Sequence, residues 1–335
     1  MTVTSIGDLA RGLTLRARSV QIKSQIDTLT KELSTGRTSD VTGRLKGDYS
    51  HLAELDRGLR RLDAFKVATS EAALLTTAMQ QGAETVQDRA ERLSNDVITL
   101  HPFGQAGKRA QVASNAAQDL QTMVAALNVS AGGRAVFSGV ETDTSPLADH
   151  DTLLTGLRSA ISGQPSVADM MTAARDWFSD PSGFEAQIYR GADRNLAPTR
   201  LSETDTVSPG IRADAAAFRD VLRSTALLAL STDPGLGLTS GEQAELIDTA
   251  GGDLLAGRDG LTALRAEIGF DEARIADAQA QNSAARTSLD YARNELVAAD
   301  PFDVVTRLEA AQFQLESLYS ATVRTANLSL VNFLR

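Results

Sequence analysis

Residues 261–296, LTALRAEIGFDEARIADAQAQNSAARTSLDYARNEL, place Leu261, Ile268, Ile275, Asn282, Leu289 and Leu296 seven residues apart throughout. A seven-residue repeat keeps one narrow stripe of an α-helix turned toward a partner helix along its whole length. Three residues further on stand Leu264, Asp271, Ala278, Ala285, Ala292 and Ala299. The alanines among them leave room for a partner to approach closely. Asn282 is the polar member of the seam, a device that fixes register at some cost in stability. Ile247 and Leu254 continue the spacing upstream, but Gly251, Gly252, Gly257 and Gly260 lie among them. Glycine weakens a helix interior, so the helix is expected to begin near Leu261.

Outward from this seam, Asp300-Pro301 ends one helix and starts the next, with Asp300 as N-cap and Pro301 in the first turn. The last helix carries Leu308, Leu315, Leu318, Val323, Leu330 and Leu334, and its apolar character runs to the final turn. Chain ends are usually polar and frayed, so this end is expected to be buried, most simply against another chain. The N-terminal part has a matching stripe in Leu15, Ile22, Ile26, Leu29 and Leu33. Turn formers between Leu33 and Gly43 interrupt it. A second long helix follows from Leu45 to Leu100, then a loop at His101–Gly107, then a third helix through Val112, Leu120 and Leu127.

The middle reads differently. Ala131–Gly139 suggests a turn and a short strand, and residues 151–178 suggest two short helices around Gln164-Pro165. Alternation between Phe184 and Arg212, broken by Gly, Pro, Asn and Asp, suggests short strands and hairpins. A helix over about Ala213–Leu230 leads into the Asp233–Gly237 loop. The expected fold is mainly α: a long antiparallel coiled-coil rod built from both chain ends, with a small inserted α/β or β-rich domain. Three parts follow from this reading. Residues 1–40 with 300–335 are terminal assembly helices, 41–135 with 240–299 the helical rod, and 136–239 the inserted mixed domain. The expected assembly residues are Leu15, Ile22, Ile26, Leu29, Leu33, Leu315, Leu318, Val323, Leu330 and Leu334.

Composition narrows the function. The 335 residues hold 33 Lys and Arg against 43 Asp and Glu, a net charge of −10. A protein that neutralises phosphates would show the opposite balance, so nucleic acid is not an expected partner. No apolar run approaches the roughly 20 residues that span a bilayer. Cysteine is absent and there are three histidines, His51, His101 and His150, about fifty residues apart. Disulfides, thiol chemistry and sulfur-ligated zinc are therefore excluded. Gly104-Gln-Ala-Gly107-Lys108 lacks the spacing and the following Ser/Thr of a phosphate loop, and Gly235-Leu-Gly237 with Gly241 misses the dinucleotide spacing. No catalytic constellation emerges, and neither an enzyme activity, a cofactor nor a metal is expected. The opening Met1–Asp8 lacks the basic start and apolar stretch of a cleaved signal peptide. Taken alone, the seam fits any long helical hairpin, including a signalling coiled coil.

Four stretches carry a resemblance. Leu33-Ser-Thr-Gly-Arg37 matches the turn after the first terminal helix in the bacterial flagellin family, and Leu264-Arg-Ala-Glu-Ile-Gly269 a motif of its long C-terminal helix. Leu328-Ser-Leu-Val-Asn-Phe-Leu-Arg335 resembles the family's closing segment. Gly133-Arg-Ala-Val-Phe-Ser-Gly139, with Thr142, Thr144 and Pro146, is similar to the junction-type members rather than to filament flagellin. The Asp40–Asp48 linker departs from the pattern, lacking the family's Asn and paired acids. The resemblance implies a structural role at the hook–filament junction, with hook-associated protein 1 and flagellin as partners and self-association in a ring. It also implies terminal helices that are disordered in the monomer, an export chaperone, and passage through the flagellar channel to the cell exterior.

Overall fold

The computed structural model describes residues 6–100 and 106–333, with side chains described for 10, 12–100 and 106–324. The chain is mainly α. Its helices are α1 (Ile6–Thr35), α2 (Val41–Arg44), α3 (Ser50–Ile98), α4 (Ala106–Leu127), α5 (His150–Ile161), α6 (Val167–Ser179), α7 (Ala216–Leu230), α8 (Ser240–Leu296) and α9 (Pro301–Phe333). Two antiparallel hairpins are each made of two-residue strands: β1 (Ser130–Ala131) with β2 (Arg134–Ala135), and β3 (Thr199–Arg200) with β4 (Thr206–Val207). The chain divides into two compact units, Met1–Arg61 with Ala284–Arg335, and Leu62–Ser283. That division falls inside α3 and α8, whereas the three-part reading of the sequence places its boundaries at turn residues.

In the Leu62–Ser283 unit, α3 and α8 run antiparallel. Arg265 Nη1 donates to Gln87 Oε1 at 2.9 Å, and Arg258 pairs with Glu91 at 3.3 Å one turn further along α3. The α3 stripe Met79, Val86 and Leu93 is buried, as are Val112, Leu120, Met123 and Leu127 of α4. One continuous core joins these to Phe218 and Leu222 of α7 and to Ile247, Leu254, Leu261 and Ile268 of α8. The insertion adds Leu153, Leu157, Met170 and Phe178 to the same core. Phe137 meets Phe218 edge-on at 5.5 Å. The insertion therefore folds onto the helices rather than apart from them.

Helix α8 begins at Ser240, not near Leu261. Thr239 and Glu242 form a capping box: the Thr239 amide and hydroxyl donate to Glu242 Oε2 at 2.8 and 2.7 Å, and Glu242 N donates back to Thr239 Oγ1 at 3.3 Å. Two of the glycines, Gly251 and Gly257, sit where neighbours crowd them, while Gly252 faces open space. A Cβ on Gly251 would lie 2.5 Å from Val97 Cγ1, and one on Gly257 would lie 3.3 Å from Val221 Cγ2. Close helix approach outweighs the propensity cost.

The expected helices around Gln164-Pro165 are α5 and α6, capped by Asp149 and Ser166. The alternating Phe184–Tyr189 run is not a strand. Pro181–Glu185 forms a π-helical turn whose start is capped by Asp180, with Ser182 N donating to its carboxylate at 2.7 Å. Phe184 stacks on Phe178 at 4.9 Å and meets Trp177 edge-on at 6.3 Å. Burying Phe178 and Phe184 together against half-buried Trp177 overrides the two-residue pattern. The middle is thus more helical than the α/β or β-rich domain expected.

Candidate assembly interface

The two ends of the described chain pair within the other unit. Helix α1 stops at Thr35 because Gly36 takes φ +68°, the left-handed region that favours glycine and closes helices. Asp300 starts α9, accepting from Phe302 N at 2.9 Å. These two breaks meet. Ala299 N donates to Gly36 O and Thr38 N to Val297 O, each at 2.9 Å, and Arg37 bridges antiparallel to Ala298. Glu32, almost wholly buried, accepts from the Ser39 amide at 2.6 Å and from its hydroxyl. Arg37 Nη2 donates to Asn294 Oδ1 at 2.5 Å, and Arg293 Nε pairs with Asp56 at 2.7 Å. The Leu33–Arg37 turn is therefore the hinge point from which α1 and α9 run side by side, antiparallel.

Their contact is narrow. Ile22 and Leu29 of α1 are buried with Val304 and Ala311 of α9, flanked by half-buried Ile26, Leu308, Leu315 and Leu318. Lys23 Nζ lies 5.9 Å from the Tyr319 ring centroid. Hydrogen bonding to Lys23, then to Ser19, draws the Tyr319 phenol below its ordinary value. The opposite faces are open: Phe302 is 83% exposed, Phe313 70%, Val20 68% and Leu13 62%. Each helix thus keeps large apolar side chains in solvent on the side turned away from its partner.

The sequence-expected assembly residues divide accordingly. Ile22 and Leu29 are covered within the same chain, because α9 lies on them. Leu15, Ile26, Leu315 and Leu318 are half-buried, and Leu33 and Val323 are exposed. Leu330 and Leu334 lie outside the residues whose side chains are described. The stripe expected to await another chain is thus in large part an intramolecular contact. Exposed Val20, Phe302 and Phe313 lie outside the sequence-expected set, although Leu13 and Val20 share a seven-residue spacing of their own. Of the α8 seam, Leu261, Ile268, Ile275 and Asn282 are buried, while Leu289 and Leu296 are half-buried.

Among the described residues, no three His, Asp or Glu side chains gather as a metal would require. No described helix is long and apolar enough to cross a membrane.

The fold is mainly helical, and the described chain ends pair as two antiparallel helices. Residues 256–334 match the bacterial flagellin C-terminal helical region. Among solved structures, the chain resembles one from Vibrio parahaemolyticus described as a flagellar hook-associated protein, with TM-score 0.52 and 13% identity. That match covers 75% of this chain and 99% of the other, and at such identity the likeness is one of fold. No curated protein matches the sequence.

Proposed function

We propose that this protein is a structural component of the bacterial flagellum, the hook–filament junction protein also called hook-associated protein 3. In this reading it joins hook-associated protein 1 to the flagellin filament as a single ring. It is exported through the flagellar channel, with a dedicated chaperone before export, and acts outside the cell. The observation that carries the reading is the terminal helix pair: the flagellin-type segment 256–334 contains all the described part of α9, which presents Phe302 and Phe313 to solvent. Covering those side chains on assembly supplies the driving force through burial of apolar area. The missing cysteines suit a chain that must thread a channel unfolded. The Gly133–Gly139 stretch favours the junction type over filament flagellin.

Immunogold electron microscopy of isolated hook–filament structures, with an antibody to residues 146–239, tests this. A single band of label where hook meets filament is the expected result. Label along the whole filament would make the protein a flagellin, and no label on flagella would remove the flagellar reading.

A further inference from the structure

We propose that a row of acidic side chains on α3 and a matching row of arginines on α8 form a charge ladder that selects these helices as partners and fixes their antiparallel register. The ladder belongs to this helix pair and is independent of the flagellar reading.

Both rows are legible in the sequence. On α3, Asp56, Asp63, Ser70, Thr77, Glu84 and Glu91 stand seven residues apart. On α8, Arg258, Arg265, Glu272, Gln279, Arg286 and Arg293 keep the same spacing. The first two and last two places of the α3 row are acidic, and those of the α8 row are arginine. The contacts follow one rule: a step of seven forward on α3 is a step of seven back on α8. In the Leu62–Ser283 unit, Glu91 pairs with Arg258 at 3.3 Å and Glu84 with Arg265 at 3.5 Å. Thr77 Oγ1 donates to Glu272 Oε1 at 3.4 Å, so the one acid of the α8 row meets a neutral partner. In the other unit, Asp56 accepts from Arg293 Nε at 2.7 Å. Gln87 braces the upper rungs, accepting from Arg265 at 2.9 Å and donating to Glu91 at 3.0 Å.

The buried residues beside the α3 row leave register to be set by something else. Thr69, Thr76, Ala83 and Ala90 each precede a place in the row by one residue, and all four are wholly buried. Side chains this small interlock weakly, so a displacement by one seven-residue repeat presents a similar surface. The charges distinguish the two arrangements. A slip in one direction brings Glu272 against Glu84, and like charges repel. A slip in the other leaves Arg265 facing Thr77. The paired side chains are half open to water, as with Glu84 at 53% and Arg258 at 35% exposed. Ion pairs so placed add little stability one by one. Their consequence is the choice of partner and alignment, as for charges flanking the apolar stripe of a coiled coil.

The test uses the full-length chain, which has no cysteine of its own. Three variants are compared with the parent: Glu84→Arg/Glu91→Arg, Arg258→Glu/Arg265→Glu, and all four changes together. Each is measured for its denaturant midpoint and, with Ser70→Cys/Gln279→Cys added, for the rate of disulfide closure under mild oxidation. The register sets positions 70 and 279 opposite each other. Thr77→Cys/Gln279→Cys, displaced by one repeat or about 10 Å along the helix, reports slippage. Either double reversal should lower the midpoint and slow closure of the 70–279 pair several-fold relative to the 77–279 pair. The combined variant should recover more than half of both losses. In 1 M salt, where the Debye length is about 3 Å, the losses should shrink. Losses that add in the combined variant would overturn the proposal, and so would unchanged closure in both double reversals. Should a double reversal fail to fold, Glu84→Arg, Arg265→Glu and their combination complete the same cycle and decide by the same readings.

Discussion

Two polar side chains show how burial decides a residue's behaviour here. Asn282 sits in an apolar seam, yet its amide meets a backbone carbonyl that would otherwise be buried and unpaired. Asn282→Ala should cost about 1–3 kcal/mol, the penalty of leaving that carbonyl unsatisfied, measurable as a lower denaturant midpoint with unchanged slope. Asp119 of α4 is the second case. It is almost wholly buried, 3.5 Å from Arg89 and 4.0 Å from Arg92. Desolvation raises its pKa above 3.8, Arg92 pulls it back, and Asp96 adds to the rise. A carboxyl whose folded pKa is raised favours the folded state while protonated. That benefit is full below the unfolded pKa and is lost as pH rises through the folded one. Asp119→Asn should therefore raise the melting temperature slightly at pH 7. The gain over the parent should shrink as pH falls toward 4; a gain constant with pH would contradict the assignment.

At the scale of elements, helix ends and helix contacts set the energetics. Gly251 lets α8 lie against Val97 of α3, and Gly251→Ala should destabilise by about 1–3 kcal/mol through overpacking despite its better helix propensity. A thermal melt separates the two effects by sign. In the terminal pair, Leu29 is 1% exposed. Leu29→Ala should cost about 2–5 kcal/mol locally, read as faster hydrogen exchange in both α1 and α9 with the α4 amides unchanged. Leu289 and Leu296 are half-buried, so they respond less to substitution than Ile275, although all three share one spacing.

For the whole molecule, the two compact units differ in what holds them. The Leu62–Ser283 unit has a core shared by six helices, while the terminal pair rests on four buried side chains and their flanks. Local stability follows buried apolar contact. Hydrogen exchange should therefore open α1 and α9 before α4 and α7. Removing Leu328–Arg335 leaves Ile22, Leu29, Val304 and Ala311 and the whole Leu62–Ser283 core in place, so the truncated protein should keep the melting transition of that core. It should fail to assemble in a complementation test if the closing helix is an assembly element, and normal assembly would reject that role.

The sequence by itself determined the helices. A seven-residue seam, Asp300-Pro301 and the Leu33–Arg37 turn are local signals, and each acts within a few residues of where it stands. It also excluded thiol chemistry, by the absence of cysteine. The tertiary structure alone decided what covers each stripe. Asn282 finds its partner 81 residues away in sequence, and Ile22 and Leu29 meet Val304 and Ala311 from the opposite end of the chain. It also turned the Phe184 run into a π-helical turn and kept α8 helical through its glycines. An apolar period states that a face must be buried. Which surface buries it depends on shape and close approach between distant segments, and no local spacing records that.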